Sequence, residues 1–93
     1  MYFVIYGKDK PGRPGVRQNA RPAHVDYLAT FGKRILIAGP LLGDDGQPSG
    51  SLIVVDLEDM AAAKAFSAGD PYTKAGVFAS VAITAWRKAI PKD

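Results

Sequence analysis

The stretch Ile35–Asp56, ILIAGPLLGDDGQPSGSLIVVD, decides the fold. Ile35 to Ala38 reads as a short buried strand that Gly39-Pro40 ends. Ser51 to Asp56 reads as another, apolar on both faces. Leu41 to Gly50 between them is rich in turn residues, with Asp44-Asp45-Gly46 at the tip. A link of that length with an Asp-Gly turn predicts an antiparallel hairpin.

Working outward toward the N-terminus, the spacing predicts a helix over Val16–Phe31. At about 100° per residue, Ala20, His24, Tyr27, Leu28 and Phe31 share one stripe. Pro22 interrupts that pattern. Proline fits best in a first turn, where its missing N–H costs nothing. The regular helix is therefore expected to begin near Arg21, with Val16 to Ala20 a looser lead-in and Gly32 as the stop. Lys8 to Gly15 reads as a mobile loop. Tyr2 to Tyr6 reads as a strand apolar on both faces, ended by Gly7.

Toward the C-terminus, Asp56 is placed to cap a second helix, with Asp59 three residues on in capping-box register. Met60, Ala63 and Phe66 face inward, and Gly69 ends that helix. Asp70-Pro71 has the pattern of a fresh N-cap with proline at the first helical position, opening a single turn up to Gly76. Val77 to Trp86 is the longest strand. Val77, Ala79, Val81, Ile83 and Ala85 make its apolar face; Phe78, Ser80, Ala82, Thr84 and Trp86 make a mixed one.

The resulting order is β-α-β-β-α-β. It predicts one α+β domain over residues 1–93 with a ferredoxin-like fold: a four-stranded antiparallel sheet with helices on one face. Two helices cover one face, yet three strands are apolar on both. A bare apolar sheet is an unusually large exposed patch. A homodimer is therefore expected through the other sheet face, with Phe78 and Trp86 in the interface.

Composition narrows the function classes. Of 93 residues, 47% are hydrophobic and 23% charged, a globular balance. The net charge of +3 comes from scattered basic residues, with no run of five and no aromatic-basic motif, so nucleic acid is not an expected partner. A small anionic ligand suits the charge better. With no cysteine, disulfides and thiolate metal sites are out of reach. One histidine and scattered carboxylates predict no metal centre. Gly7, Gly12 and Gly15 lack the Lys-Ser/Thr of a phosphate loop, and no cofactor is expected. The opening MYFVIY has no basic leader, so it does not read as a signal peptide. No apolar run approaches the ~20 residues of a membrane span. A soluble, cytoplasmic protein is expected.

The candidate site begins at Arg21-Pro22-Ala23-His24. His24 is the sole histidine, and histidine is the side chain that changes charge most readily around neutrality. A polar ring at the centre of an apolar stripe needs a partner. Taken from spacing alone, His24 is more simply a core-edge histidine bonded to a backbone carbonyl. Arg17 and Arg21, one to two turns earlier, are either solvated surface charges or clamps for a carboxylate or phenolate. Tyr27 and Tyr72 are either pocket walls or core filling. Ser51 and Ser80 read as ordinary strand residues. Asp70 before Pro71 is a routine N-cap, worth about 1 kcal/mol.

Three segments together carry a resemblance. Arg21-Pro22-Ala23-His24, Ala38-Gly39-Pro40, and Gly69-Asp70-Pro71-Tyr72 followed by Ala75-Gly76-Val77-Phe78 stand in the same order as in the YciI-like proteins, and Tyr2-Phe3-Val4-Ile5-Tyr6-Gly7 is similar to their first strand. The Pro/Gly-rich Pro11 to Gly15 departs from that pattern. The resemblance implies a protomer of the dimeric α/β-barrel superfamily and an active site built on a His-Asp pair, here His24 and Asp70. The cap and the pair need not exclude each other: one carboxylate oxygen of Asp70 can accept from the Tyr72 or Thr73 N–H while the other accepts from a His24 ring N–H. A relative in that family is a dehydrochlorinase acting on a chlorinated hydroxyhydroquinone. The expectation is a cofactor-free enzyme using His24 and Asp70 for proton transfer, in an elimination or isomerisation, with Arg21, Arg17 and Tyr72 binding a small anionic, aromatic or lactone-like substrate. The alternative is a non-catalytic dimeric module that binds or senses a small ligand.

Overall fold

The computed structural model describes residues 1–92. Strand β1 (Tyr2–Asp9) leads to helix α1 (Pro14–Ala29), a short 3₁₀ turn (Gly32–Arg34), β2 (Ile35–Leu42), β3 (Pro48–Asp56), α2 (Met60–Gly69), the one-turn α3 (Pro71–Lys74) and β4 (Phe78–Trp86). The strands lie in the order β2-β3-β1-β4, every pair antiparallel. This is the expected ferredoxin-like β-α-β-β-α-β arrangement.

Side chains alternate across the strands, and register sorts them. Phe3 pairs with Val55, and Ile5 with Ile53 on one side and Ile83 on the other. These residues form one apolar layer, closed from above by Ala63, Phe66, Tyr27, Leu28 and Phe31. Burying each large member stabilises the fold by about 1.5–3 kcal/mol. No described helix lies on the opposite face. Tyr2 meets Trp86 edge-on at 5.9 Å there, and Tyr6, Ile37 and Trp86 are exposed.

Several boundaries differ from the sequence expectation. β1 passes through Gly7 to Asp9. Gly7 does not end the strand; it makes room, because a Cβ there would lie 2.6 Å from the Phe78 ring. α1 begins at Pro14, so Pro22 sits inside the helix and not in its first turn. The ring of Pro22 is on the exposed side, and Arg17, tied to β1, holds the early turns in place. Gly39 and Pro40 lie within β2, which is an edge strand, where proline is tolerated. The α2 cap is Asp59, whose carboxylate accepts from the Ala62 N–H at 2.8 Å; Asp56 instead binds the Met1 ammonium.

Phe78 is the largest correction. The register of β1 with β4 shifts between Lys8 and Asp9, so that Asp9 pairs with Phe78 and one residue of β4 bulges. The bulge turns Phe78 to the helix side. Trp86 does lie on the uncovered face, whereas Phe78 packs over Gly7 and against Tyr72 at 6.0 Å.

Candidate active site

Three elements bring the candidate residues together. α1 supplies Arg17, Arg21 and His24; the α2–α3 junction supplies Asp70 and Tyr72; the far ends of β1 and β3 supply Asp9 and Ser51. α1 packs on the sheet through Tyr27 and Leu28, and α3 docks against α1.

His24 is buried, and its Nδ1 lies 2.7 Å from Asp70 Oδ1. The same Oδ1 accepts from the Tyr72 N–H at 2.9 Å. The expected division of labour, one oxygen per partner, is thus not what occurs: a single oxygen serves both. Asp70 is only 3% exposed, and these two bonds hold its carboxylate in place. With Nδ1 committed, Nε2 is the ring nitrogen left for a ligand.

The His24 ring stacks on Tyr72 at 3.7 Å and nearly parallel. The Arg17 guanidinium lies over the same tyrosine ring at 4.6 Å. His24 and Arg17 are two turns apart on α1, and Tyr72 contacts both. Tyr72 is 2% exposed, so little of its ring remains for a ligand. It is mainly a packing element of the site.

Arg17 is not a surface charge. It is buried, and its Nε and Nη2 bind the two oxygens of Asp9 at 2.7 and 2.8 Å. Nη2 also donates to Ser51 Oγ at 2.7 Å. Burial works against the guanidinium charge, but the hydrogen bonds and charge of Asp9 outweigh it and hold the pKa above its ordinary value. Arg21 is exposed at the rim.

Arg17, Arg21, His24 and Tyr72, with Val25, Leu28, Ala38, Pro40, Ser51 and Ile53, line one cavity of about 230 Å³ between α1 and the β2–β3 edge. A dry cavity of about 150 Å³ takes a benzene ring. The space here therefore suits one substituted ring. Its lining combines the apolar Val25, Leu28, Ala38, Pro40 and Ile53 with the polar Arg17, Arg21, His24 and Ser51. No group of three or more potential metal ligands occurs among the described residues. No described helix is long and apolar enough to cross a membrane.

Asp9, Ser51 and Phe78 were missed as site residues. Asp9 follows Phe3, Ile5 and Gly7 on the inward face of β1, so strand alternation alone would have found it had the strand been extended past Gly7. Ser51 pairs with Gly7 on that same face and is buried, which its polar side chain conceals in a hydrophobic pattern. Phe78 depends on the bulge, for which the sequence offers no signal beyond one extra residue.

The sheet order and the helices on one face are those of a small ferredoxin-like α+β protein, here with a buried His24–Asp70 contact beside a ring-sized cavity. The chain belongs to the YCII-related domain family, whose pattern matches residues 1–87. It is 34% identical over 96 residues to Protein YciI of Escherichia coli O6:H1, a match spanning 95% of this chain and 98% of that one. An uncharacterised protein of Haemophilus influenzae is 36% identical over the same coverage. Among solved structures, 5-chloro-2-hydroxyhydroquinone dehydrochlorinase of Burkholderia phenoliruptrix AC1100, in complex with 2,5-dihydroxybenzoquinone, superposes with a TM-score of 0.90 at 36% identity over 100% of both chains. An antibiotic biosynthesis monooxygenase shares the fold at a TM-score of 0.56 and 15% identity, covering 98% of this chain and 100% of that one.

Proposed function

We propose that this chain is a cofactor-free enzyme that moves a proton on a small anionic ring compound, with His24 as general acid and base and Asp70 as the carboxylate that orients it. The observation that carries this is the 2.7 Å contact between His24 Nδ1 and Asp70 Oδ1 at the wall of a ring-sized cavity. A carboxylate on Nδ1 keeps the proton there, leaving the Nε2 lone pair to take a proton from the substrate. Such catalysis is typically worth about 10²–10⁴-fold. Arg21 and Arg17 in the cavity lining favour a phenolate or carboxylate, although Asp9 offsets much of the Arg17 charge.

Elimination of hydrogen chloride from a chlorinated hydroxyquinol balances within this site. Nε2 takes a hydroxyl proton, and the freed electron pair drives protonation of the ring carbon that bears chlorine. The C–Cl bond then breaks with its electrons, chloride leaves, and loss of a second hydroxyl proton completes the quinone. The net change is loss of one proton and one chloride, with no external oxidant. The dehydrochlorinase at 36% identity supports this choice of chemistry.

The same proposal has the protein as a homodimer, formed through the sheet face that no helix covers, and working in the cytoplasm. Support for the dimer is the exposure of Tyr6, Ile37 and Trp86 on one surface.

The test is chloride release from 5-chloro-2-hydroxyhydroquinone. Wild-type protein is expected to release chloride, and His24→Ala to lose at least 100-fold of that rate. If 2,5-dihydroxybenzoquinone binds by calorimetry while chloride release matches buffer, the protein is a binding module and the catalytic proposal is overturned.

A further inference from the structure

We propose that Tyr27 is a positioning residue for the His24–Asp70 pair: by holding the end of α2, its hydroxyl sets where the Asp70 carboxylate stands. This rests on the proposal that the pair is reactive, and deepens it.

Tyr27 follows His24 by three residues on α1, so the two side chains share a face. His24 receives Asp70. Tyr27 Oη donates to the Phe66 carbonyl at 2.9 Å. That carbonyl is one of the last four of α2, which have no helical partner of the usual kind. The Asp70 N–H turns to Ser67 O at 3.3 Å instead. The C-terminal turn of α2 is therefore tied to α1 at two points, a carbonyl and a carboxylate, by two side chains one turn apart.

Gly69 lies between those points. A Cβ there would come within 2.7 Å of Tyr27 Oη and 3.3 Å of its Cζ. The residue before Asp70 is thus constrained by the tyrosine hydroxyl and not by an unusual backbone angle. The ring itself is held by Phe31 at 5.2 Å and Phe66 at 5.6 Å, so the aim of the hydroxyl is fixed. A tyrosine hydroxyl is a donor at neutral pH in any case, and burial, then the charge of Asp70, push the Tyr27 pKa still higher.

A single histidine makes the consequence readable without substrate, since the protein has one imidazole signal. In long-range ¹H–¹⁵N correlation spectra the neutral ring is expected as the Nδ1–H tautomer. Tyr27→Phe keeps the ring packing and removes only the hydroxyl. It is expected to shift the population toward Nε2–H and to lower kcat for chloride release by about 10- to 100-fold with KM little changed. Gly69→Ala is expected to do the same. The double variant should lose no more than the worse single one, because both act through one contact. An unchanged tautomer in folded Tyr27→Phe, shown by a wild-type near-UV spectrum, overturns the proposal; so do losses that multiply in the double variant. If wild-type protein releases no chloride, the catalytic proposal fails, and the tautomer comparison still decides the role of Tyr27.

Discussion

Asp70 receives His24 on the oxygen that also caps the next helical turn: Oδ1 lies 2.7 Å from His24 Nδ1 and 2.9 Å from the Tyr72 nitrogen. Anything that moves the cap moves the histidine's partner. The two duties can nevertheless be separated by substitution.

Asp70→Asn keeps an N-cap acceptor, since asparagine caps as well as aspartate. It removes the anion that holds a proton on Nδ1 and stabilises an imidazolium. Turnover is expected to fall by about 10² or more, with thermal stability close to wild type. Asp70→Ala is expected to lose the same activity and a further ~1 kcal/mol of stability, through the lost cap. Urea titration beside the chloride assay distinguishes the two; an active Asp70→Asn variant would show that the carboxylate is only a cap.

Arg17 and Asp9 form a nearly buried ion pair, with side chains 10% and 16% exposed. Removing one partner leaves the other charge without compensation. Arg17→Ala is expected to cost about 3–5 kcal/mol in denaturant unfolding, far more than Arg21→Ala at the exposed rim. Equal effects of the two substitutions would contradict the burial of Arg17.

Tyr27 gives a pH dependence of definite sign. Its folded-state pKa is raised, first by burial and then by Asp70. The associated stability is fully present below the ordinary tyrosine value of about 10 and is lost as pH rises through the higher folded value. Absorbance titration at alkaline pH should show a late step that belongs to Tyr27. Tyr27→Phe should remove that late step.

Gly7 marks the closest approach of strand to ring. Gly7→Ala places a methyl 2.6 Å from Phe78 Cε1, and the ring that must move also rests against Tyr72. A loss of about 1–3 kcal/mol is expected. Phe78→Leu in the same chain should restore part of it; no restoration would locate the strain elsewhere.

The homodimer predicts a mass in light scattering of twice 9.9 kDa. Ile37→Glu and Trp86→Glu, both on the uncovered face, should yield monomers. A wild-type monomer at micromolar concentration would remove the dimer from the proposal.

Much of this was legible in the sequence, and the failures have particular causes. The hairpin between Ile35 and Asp56 was readable because its strands are apolar and its link carries an Asp-Gly turn. His24 was readable because a polar ring at the centre of an apolar stripe demands a partner, and the family pattern pointed to Asp70. Gly7, Gly39 and Pro40 misled because each is a local stop signal overridden by tertiary context: an overlying ring at Gly7, and an edge strand at Gly39-Pro40. Pro22 misled for the same reason, as α1 is held from its start by Arg17 rather than by local propensity. Asp9 was hidden by the assumption that β1 ended early. The role of Tyr27 needed coordinates, since nothing in sequence joins residue 27 to the carbonyl of residue 66.

The bulge opposite Lys8 and Asp9 makes β4 a strand of two phases. Beyond it, toward Trp86, odd-numbered residues such as Ile83 look up at the helices and even-numbered ones look down; at Phe78 the parity is reversed. One surplus residue thus lets even-numbered positions of a single strand serve two clients, the packing around Tyr72 at one end and the bare sheet face at the other. Closing the bulge with Ala79 retained would pair Ala79 with Asp9 and turn Phe78 away from Tyr72, whereas deleting Ala79 would leave Phe78 opposite Asp9 on the helix side in regular alternation. The pairing of Asp9 with Phe78 across the bulge is therefore what keeps this ring beside Tyr72 while Trp86 faces the bare sheet.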